Sequence, residues 1–291
     1  MFRGSIVALV SPFRDGQLDE TSLRKLLRMH RDAATSGVVP AGCTGEAATL
    51  TAAERERLIA VCLEEVGDVM PVIPGTGTNS TRSTVELTRA AARAGAHAAL
   101  VITPYYNRPT PEGQYRHYRA VAEEGGIPIV VYNVPSRTGV NMLPETVARL
   151  AELPGIVAIK EASGSLDQVS AIRELCGITV LSGDDSLTLP MMAVGAAGVV
   201  SVAANVVPGL VSRMVASYPD DPVRASELHR ALWPIARALF LETNPGPVKH
   251  AMRELGLLAS GELRPPLADV TEETRKRMTR ALASMREIGP A

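Results

Sequence analysis

Lysine is scarce in this chain. It occurs four times, as Lys25, Lys160, Lys249 and Lys276, beside twenty-six arginines. Aromatic residues make up only 3% of the 291 positions, so each of the six tyrosines is conspicuous where it falls. Neither sign of charge is in excess: the formal net charge is −1. That balance gives no electrostatic reason to expect a nucleic acid or an anionic membrane as partner. The three cysteines, Cys43, Cys62 and Cys176, form no CxxC pair and read as free thiols in a reducing compartment. No apolar run reaches the length of about 18 residues that a bilayer span requires. The apolar start is too short for a signal peptide and ends at Pro12. A cytoplasmic protein is the expectation.

What the chain does have is alternation. Short runs rich in Val and Ile recur at 5–10, 37–42, 69–75, 98–104, 128–133, 155–160, 178–183 and 198–204. They are apolar on both faces, as buried parallel strands are. Helical patterns lie between them. Asp19 precedes an apolar face of Leu23, Leu26 and Leu27, Thr51 with Glu54 makes a capping-box pattern, and Pro111 and Pro144 sit at first helical positions. Eight such units predict an α/β fold, a (β/α)8 TIM barrel over 1–221. The alternative, a doubly wound open sheet, would usually show a Gly-rich phosphate fingerprint after its first strand, and none follows Val10. Residues 222–291 read as a C-terminal helical extension, with helices over 222–240, 245–256 and 268–287.

In a barrel, reactive groups come from the carboxyl ends of the strands. Lys160 alone among the lysines ends an apolar strand, GIVAIK. Partial burial there lowers the pKa of an amine, and only the free amine attacks a carbonyl to form a Schiff base. An arginine stays protonated and cannot. The competing reading is a lysine paired with Glu161 or a strand-end Asp, without chemistry. Tyr132 ends the neighbouring strand, where a phenol can shuttle protons for imine formation. Tyr105 and Tyr106 end the strand before that; tyrosines also favour strand ends for their wet tips. The turn at 42–47, GCTGEA, can present backbone N–H groups to a carboxylate. Arg137 can grip a second carboxylate or simply face solvent. Asp184 and Asp185 read as helix caps. The five histidines show no metal spacing, so no metal is expected.

The segments GCTGEAATL (42–50), PVIPGTGTNST (71–81), TPYYNRPTPEG (103–113), YNVPSRTG (132–139), IKEASG (159–164), LSGDD (181–185) and NPGPVKHAMRELG (244–256) resemble those of dihydrodipicolinate synthases, within the N-acetylneuraminate lyase superfamily. The resemblance covers essentially the whole chain. It implies condensation of pyruvate with L-aspartate-4-semialdehyde to 4-hydroxy-tetrahydrodipicolinate, the first committed step toward diaminopimelate and lysine. It implies no cofactor beyond the imine itself. By that resemblance Lys160 forms the imine, Tyr132 relays protons, and Tyr106 reaches into a neighbouring subunit's site. Thr44, with Cys43, holds the pyruvate carboxylate, Arg137 holds the semialdehyde, and Gly183 and Val202 line the substrate pocket. A homotetramer is implied.

Two departures from the family pattern stand out. The family's turn usually carries Thr where this chain has Cys43, and that hydroxyl links the two tyrosines in the relay. A thiol is a weaker hydrogen-bond partner. Lysine-inhibited members usually carry histidine and glutamate around 47–55 and 79–83, where this chain has Ala52, Arg55 and Ser83. Weak or absent feedback by lysine is expected. The rival activities are those of N-acetylneuraminate lyases and 2-keto-3-deoxy sugar-acid aldolases, which share the lysine and tyrosine but typically lack the arginine of the SRTG loop. A non-catalytic barrel would have lost these groups.

Overall fold

The computed structural model describes residues 2–286. Seven strands form one parallel sheet: β1 (Gly4–Ala8), β4 (Gly37–Val39), β5 (Ala99–Ile102), β6 (Ile129–Asn133), β7 (Ile156–Glu161), β8 (Thr179–Ser182) and β9 (Gly198–Ser201). Their order is β4-β1-β9-β8-β7-β6-β5. The ring is closed by the run at 69–75. Val72 bridges Val38 on β4, and Gly75 bridges Leu100 on β5. This run was expected as a full strand and is only a pair of bridges. Pro71 and Pro74 have no N–H to give to a ladder, yet both still accept through their carbonyls, from Val38 N (2.9 Å) and Leu100 N (2.9 Å). The result is the eight-membered barrel that the alternation predicts. A small hairpin of β2 (Phe13–Arg14) and β3 (Gln17–Leu18) follows β1, which the apolar pattern did not signal.

The strands carry β-branched residues with nowhere wet to point, and Ile6, Val38, Val101, Val130, Ile159, Val180 and Val199 are all buried in one continuous core. The helices begin where the caps predict. In α1 (Glu20–Asp32) the Asp19 carboxylate accepts from Ser22 N at 3.0 Å. In α2 (Ala52–Val66) Thr51 and Glu54 satisfy each other's backbone N–H as a capping box. In α4 (Pro111–Glu124) and α6 (Pro144–Ala151) proline opens the helix, and at Thr110 the hydroxyl caps it. Between them in chain order lie α3 (Thr81–Ala94) and the single turn α5 (Pro135–Thr138); α7 (Leu166–Leu175), α8 (Thr188–Ala193) and α9 (Pro208–Ser217) complete the outer layer.

The C-terminal segment forms α10 (Pro222–Ala238), α11 (Gly246–Glu254) and α12 (Glu272–Arg286). The last predicted helix starts later than expected, and its predicted end at 287 lies outside the described residues. Helix α10 packs on α9 and α12. The stretch between α10 and α11 crosses the carboxyl end of the barrel and contributes Phe240, Glu242, Thr243 and Asn244 to the wall of a cavity there. None of the helices in the described residues is long and apolar enough to cross a membrane.

Candidate active site

A cavity of about 360 Å³ opens at the carboxyl ends of the strands. Cys43, Thr44, Tyr132, Arg137, Lys160, Gly183 and Val202, all expected site residues, line it together. Tyr106 does not. It is 89% exposed and sits in the left-handed region at φ 72°, carried outward on the loop after β5. Tyr105 is also turned to the surface. A larger cavity of about 1080 Å³ lies at the opposite end of the barrel, beside Arg3 and Ser5, and holds none of these groups.

Lys160 owes its position to strand pairing. β6 and β7 start with Ile129 beside Ile156, skip a residue, and continue with Val130 beside Ala158, so that Tyr132 stands beside Lys160. Lateral neighbours in a sheet share a face, and the ammonium nitrogen lies 4.1 Å from the centroid of the tyrosine ring. Gly183, at the end of β8, gives the lysine room: a Cβ there would come within 2.6 Å of Ala162 Cβ and 3.0 Å of Lys160 Cε.

The lysine is 5% exposed and has no ion-pair partner among the described residues. Glu161 cannot serve, because strand alternation turns it to the other face. There it accepts from Asn133 Nδ2 (3.0 Å), Gln168 Nε2 (3.1 Å) and Ser163 N (2.6 Å). Burial lowers the Lys160 pKa to about 8, with a further push from Arg137 and partial opposition from Cys43 and Asp185. Burial pushes the Tyr132 phenol well above its usual value, and the adjacent Cys43 adds to that.

Asp184 caps the short helical turn that follows it, accepting from Ser186 N at 2.9 Å. Asp185, also expected as a cap, does something else. It is buried and receives Ser201 Oγ and the backbone N–H groups of Val202 (2.9 Å) and Ala203 (3.1 Å). It thereby ties the end of β8 to the end of β9 and fixes Val202. Burial raises its pKa, while these same donors pull it back down.

The turn at 42–47 is held from behind. Its glycines are not left-handed; Glu46 within it and Ala41 just before it, both at φ 52°, are. Gly45 is needed for close approach, since a Cβ would lie 3.0 Å from Ala41 N and 3.1 Å from Leu9 O. Ser11 Oγ donates to Gly45 O at 2.7 Å. Glu46 points away from the cavity into a fully buried ion pair with Lys249 Nζ at 2.6 Å, and also accepts from Arg264 N at 3.0 Å. The chain therefore buries two lysines in opposite ways: Lys249 with a counter-ion, Lys160 without one.

Asn244, for which no role is legible in the sequence, joins two predicted substrate contacts. Its Nδ2 donates to Thr44 Oγ1 at 3.0 Å, and its backbone carbonyl accepts from Arg137 Nη2 at 3.2 Å. Arg137 itself is exposed at the cavity mouth on α5.

A buried, unpaired amine beside a phenol at the mouth of a (β/α)8 barrel is the arrangement of a Schiff-base enzyme. The dihydrodipicolinate synthetase family matches residues 1–285. The chain belongs to this family. A relative from Pelobacter propionicus named 4-hydroxy-tetrahydrodipicolinate synthase is 52% identical, covering 98% of this chain and 99% of its own. One of the same name from Methanothrix thermoacetophila is 53% identical, covering 99% and 98%. The solved 4-hydroxy-tetrahydrodipicolinate synthase from Methylacidiphilum fumariolicum SolV superposes with a TM-score of 0.97 at 42% identity, covering 99% of this chain and 97% of that one. Like those relatives, this member of the family is an enzyme.

Proposed function

We propose that this enzyme condenses pyruvate with L-aspartate-4-semialdehyde to give 4-hydroxy-tetrahydrodipicolinate and water. The observation that carries the reading is the Lys160 amine, buried, without a counter-ion and with its pKa lowered to about 8.

In this reading the free amine attacks the pyruvate ketone, and the carbinolamine loses water to give the imine. Tyr132 hands protons to and from the departing oxygen. The imine nitrogen then draws electrons as a methyl proton leaves, forming an enamine, so no metal or organic cofactor is required. The enamine carbon bonds to the semialdehyde aldehyde carbon, whose oxygen takes up a proton. The substrate amine finally attacks the imine carbon and displaces Lys160, closing the ring. Thr44 and the backbone of its turn hold the pyruvate carboxylate, with Gly183 and Val202 shaping the floor, and Arg137 holds the carboxylate of the semialdehyde. Cys43 stands in the relay beside Tyr132.

Tyr106 belongs to the site of a second subunit in this reading. Its exposure and left-handed backbone support an outward-reaching role, and a homotetramer is the assembly proposed. The free thiols suit a reducing cytoplasm.

The deciding experiment is borohydride reduction in the presence of pyruvate, followed by intact-mass measurement and a coupled condensation assay. A reduced pyruvyl adduct on Lys160, turnover with the semialdehyde, and loss of both in Lys160→Ala are expected. An unmodified chain, or turnover only with an aldose such as N-acetylmannosamine, overturns the proposal.

A further inference from the structure

We infer that the buried ion pair between Lys249 and Glu46 is a positioning device for pyruvate: it holds the turn at 42–47 in the shape that receives the pyruvate carboxylate, so that α11, which lines no part of the cavity, sets the affinity for that substrate. This rests on the proposed function, in which that turn anchors the carboxylate.

Glu46 has φ 52° and ψ 39°, in the left-handed region. That conformation is unfavourable for a residue with a Cβ and persists only where its surroundings impose it. Gly45, beside it, could have taken the same angles without strain. What imposes them comes from the C-terminal segment. Oε1 of Glu46 accepts from Lys249 Nζ at 2.6 Å, and Oε2 accepts from Arg264 N at 3.0 Å. Both charged side chains are fully buried. Lys249 is itself fixed, donating to Glu262 O at 2.5 Å and lying 4.5 Å from the centroid of the Phe13 ring.

The turn carries that constraint to the cavity. Glu46 N donates to Cys43 O at 3.2 Å, and Ala47 N donates to Gly42 O at 3.2 Å, so the backbone angles at Glu46 fix where Cys43 and Thr44 stand. The N–H groups of Cys43, Thr44 and Gly45 have no acceptor among the described residues. Successive donors of this kind in a turn suit a carboxylate, and Cys43 and Thr44 line the cavity.

Stability alone does not account for the pair. Taking two charges out of water offsets most of their attraction, and an apolar pair of similar volume often holds a fold as well. What a carboxylate with a donor on each oxygen adds is orientation. Neither Glu46 nor Lys249 is hydrogen-bonded to Lys160 or Tyr132 among the described residues. Removing the pair is therefore expected to leave the amine and its phenol as they are and to weaken pyruvate binding.

The test replaces both partners at once, Glu46→Gln with Lys249→Met, which leaves no uncompensated charge in the core. Borohydride trapping is followed against pyruvate concentration and pH, with thermal unfolding measured beside it. The pyruvate concentration for half-maximal trapping is expected to rise about tenfold or more, while the trapping rate at saturating pyruvate stays within about twofold and the midpoint of its pH profile does not move. A lowered thermal midpoint with half-saturation within about threefold of the wild type, as a merely structural role would give, overturns the inference. So does a saturating rate or a pH midpoint that shifts together with the affinity. Should the double variant show no cooperative unfolding and so prove misfolded, Glu46→Asp decides alone. It keeps the charge and tolerates the left-handed backbone but falls one methylene short of Lys249. The same rise of about tenfold is expected of it, and a rise of less than about threefold overturns the inference. Wild-type protein that traps no pyruvate would instead refute the proposed function.

Discussion

Tyr132 stands beside Lys160 because β7 carries one residue more than β6 between their first and second paired positions. Without that bulge Tyr132 would lie beside Ile159, and phenol and amine would fall on opposite faces of the sheet. The amine then sits over the ring in a site with no counter-ion, held below its usual pKa by burial. The sign follows directly. Below about pH 8 the amine is mostly charged and cannot attack, so the single-turnover rate of imine formation is expected to rise about tenfold per pH unit until about pH 8 and then level off. Stopped-flow measurement across pH 6–10 checks this. A pH-independent rate would show that the folded amine is already neutral, and a rate still climbing at pH 10 would show that it is paired. Lys160→Arg keeps the charge and is expected to form no adduct at all.

Gly183→Ala tests how tightly that amine is placed. The new methyl would press on Lys160 Cε and Ala162 Cβ, and both belong to a short, packed strand end. Misplacing a reacting group by about 1 Å can cost about a hundredfold. A fall of about that size in kcat/KM for pyruvate is expected, with the thermal midpoint lowered by only a few degrees. An unchanged kcat/KM would mean that the lysine has slack.

Much of this was legible in the sequence, and the limits have physical causes. Strands and caps are local patterns: Val-rich runs, Asp19 before Leu23, Thr51 before Glu54. The strand at 69–75 was misjudged because apolar runs do not reveal which N–H groups are missing, and Pro71 and Pro74 remove them. Lys160 was visible through rarity and position. Tyr132 on the neighbouring strand was visible too, but the register that sets it beside Lys160 was not, because a bulge leaves no mark on composition. The role of Asn244 is a bond across 200 residues, and no periodicity reports such a contact. The NPGP segment around it was the only hint. Asp185 reads as a cap because Asp-Asp before a helix usually is one, but its partners lie a strand away.

Cys43 tests the relay. The thiol lies beside Tyr132, where it adds to the upward push on the phenol, and sulfur is a weak donor and acceptor. Cys43→Thr is expected to raise kcat by about threefold or more, and Cys43→Val to lower it about tenfold or more, with pyruvate trapping retained in both. Steady-state kinetics read the difference. A lower kcat in Cys43→Thr would assign the thiol a role of its own.

Feedback by lysine is expected to be weak. Arg55 is not free to receive an inhibitor, since its guanidinium clamps Gly75 O (2.7 Å) and Ala47 O (2.8 Å). Ser83 lies in the first turn of α3, where its N–H and hydroxyl both turn back to the Ser80 cap. No carboxylate stands at Ser83 to meet a second ammonium group. Half-maximal inhibition is expected only above about 1 mM L-lysine, a binding free energy of about −4 kcal/mol. Inhibition at micromolar lysine would show a site built from other residues.

Two buried histidines set an acid limit on the fold. His30 pairs through Nδ1 with Thr35 Oγ1 and His117 with Thr81 Oγ1, while Nε2 of each is buried without a partner among the described residues. Burial holds both pKa values down at about 4, against 6.5 for an exposed imidazole. The folded rings therefore stay neutral where the unfolded rings take up protons. Stability from this source is intact above about pH 6.5 and is lost progressively as pH falls toward 4, by an amount on the order of 3 kcal/mol for each ring. Denaturant titrations at pH 7.5 and pH 5 are expected to show a marked drop in the unfolding midpoint at the lower pH. His30→Gln keeps a donor and an acceptor but does not titrate, so it should reduce the slope with pH even if it lowers stability at pH 7.5. A slope that Gln leaves untouched would place the acid sensitivity in another group that titrates in this window, His117 first.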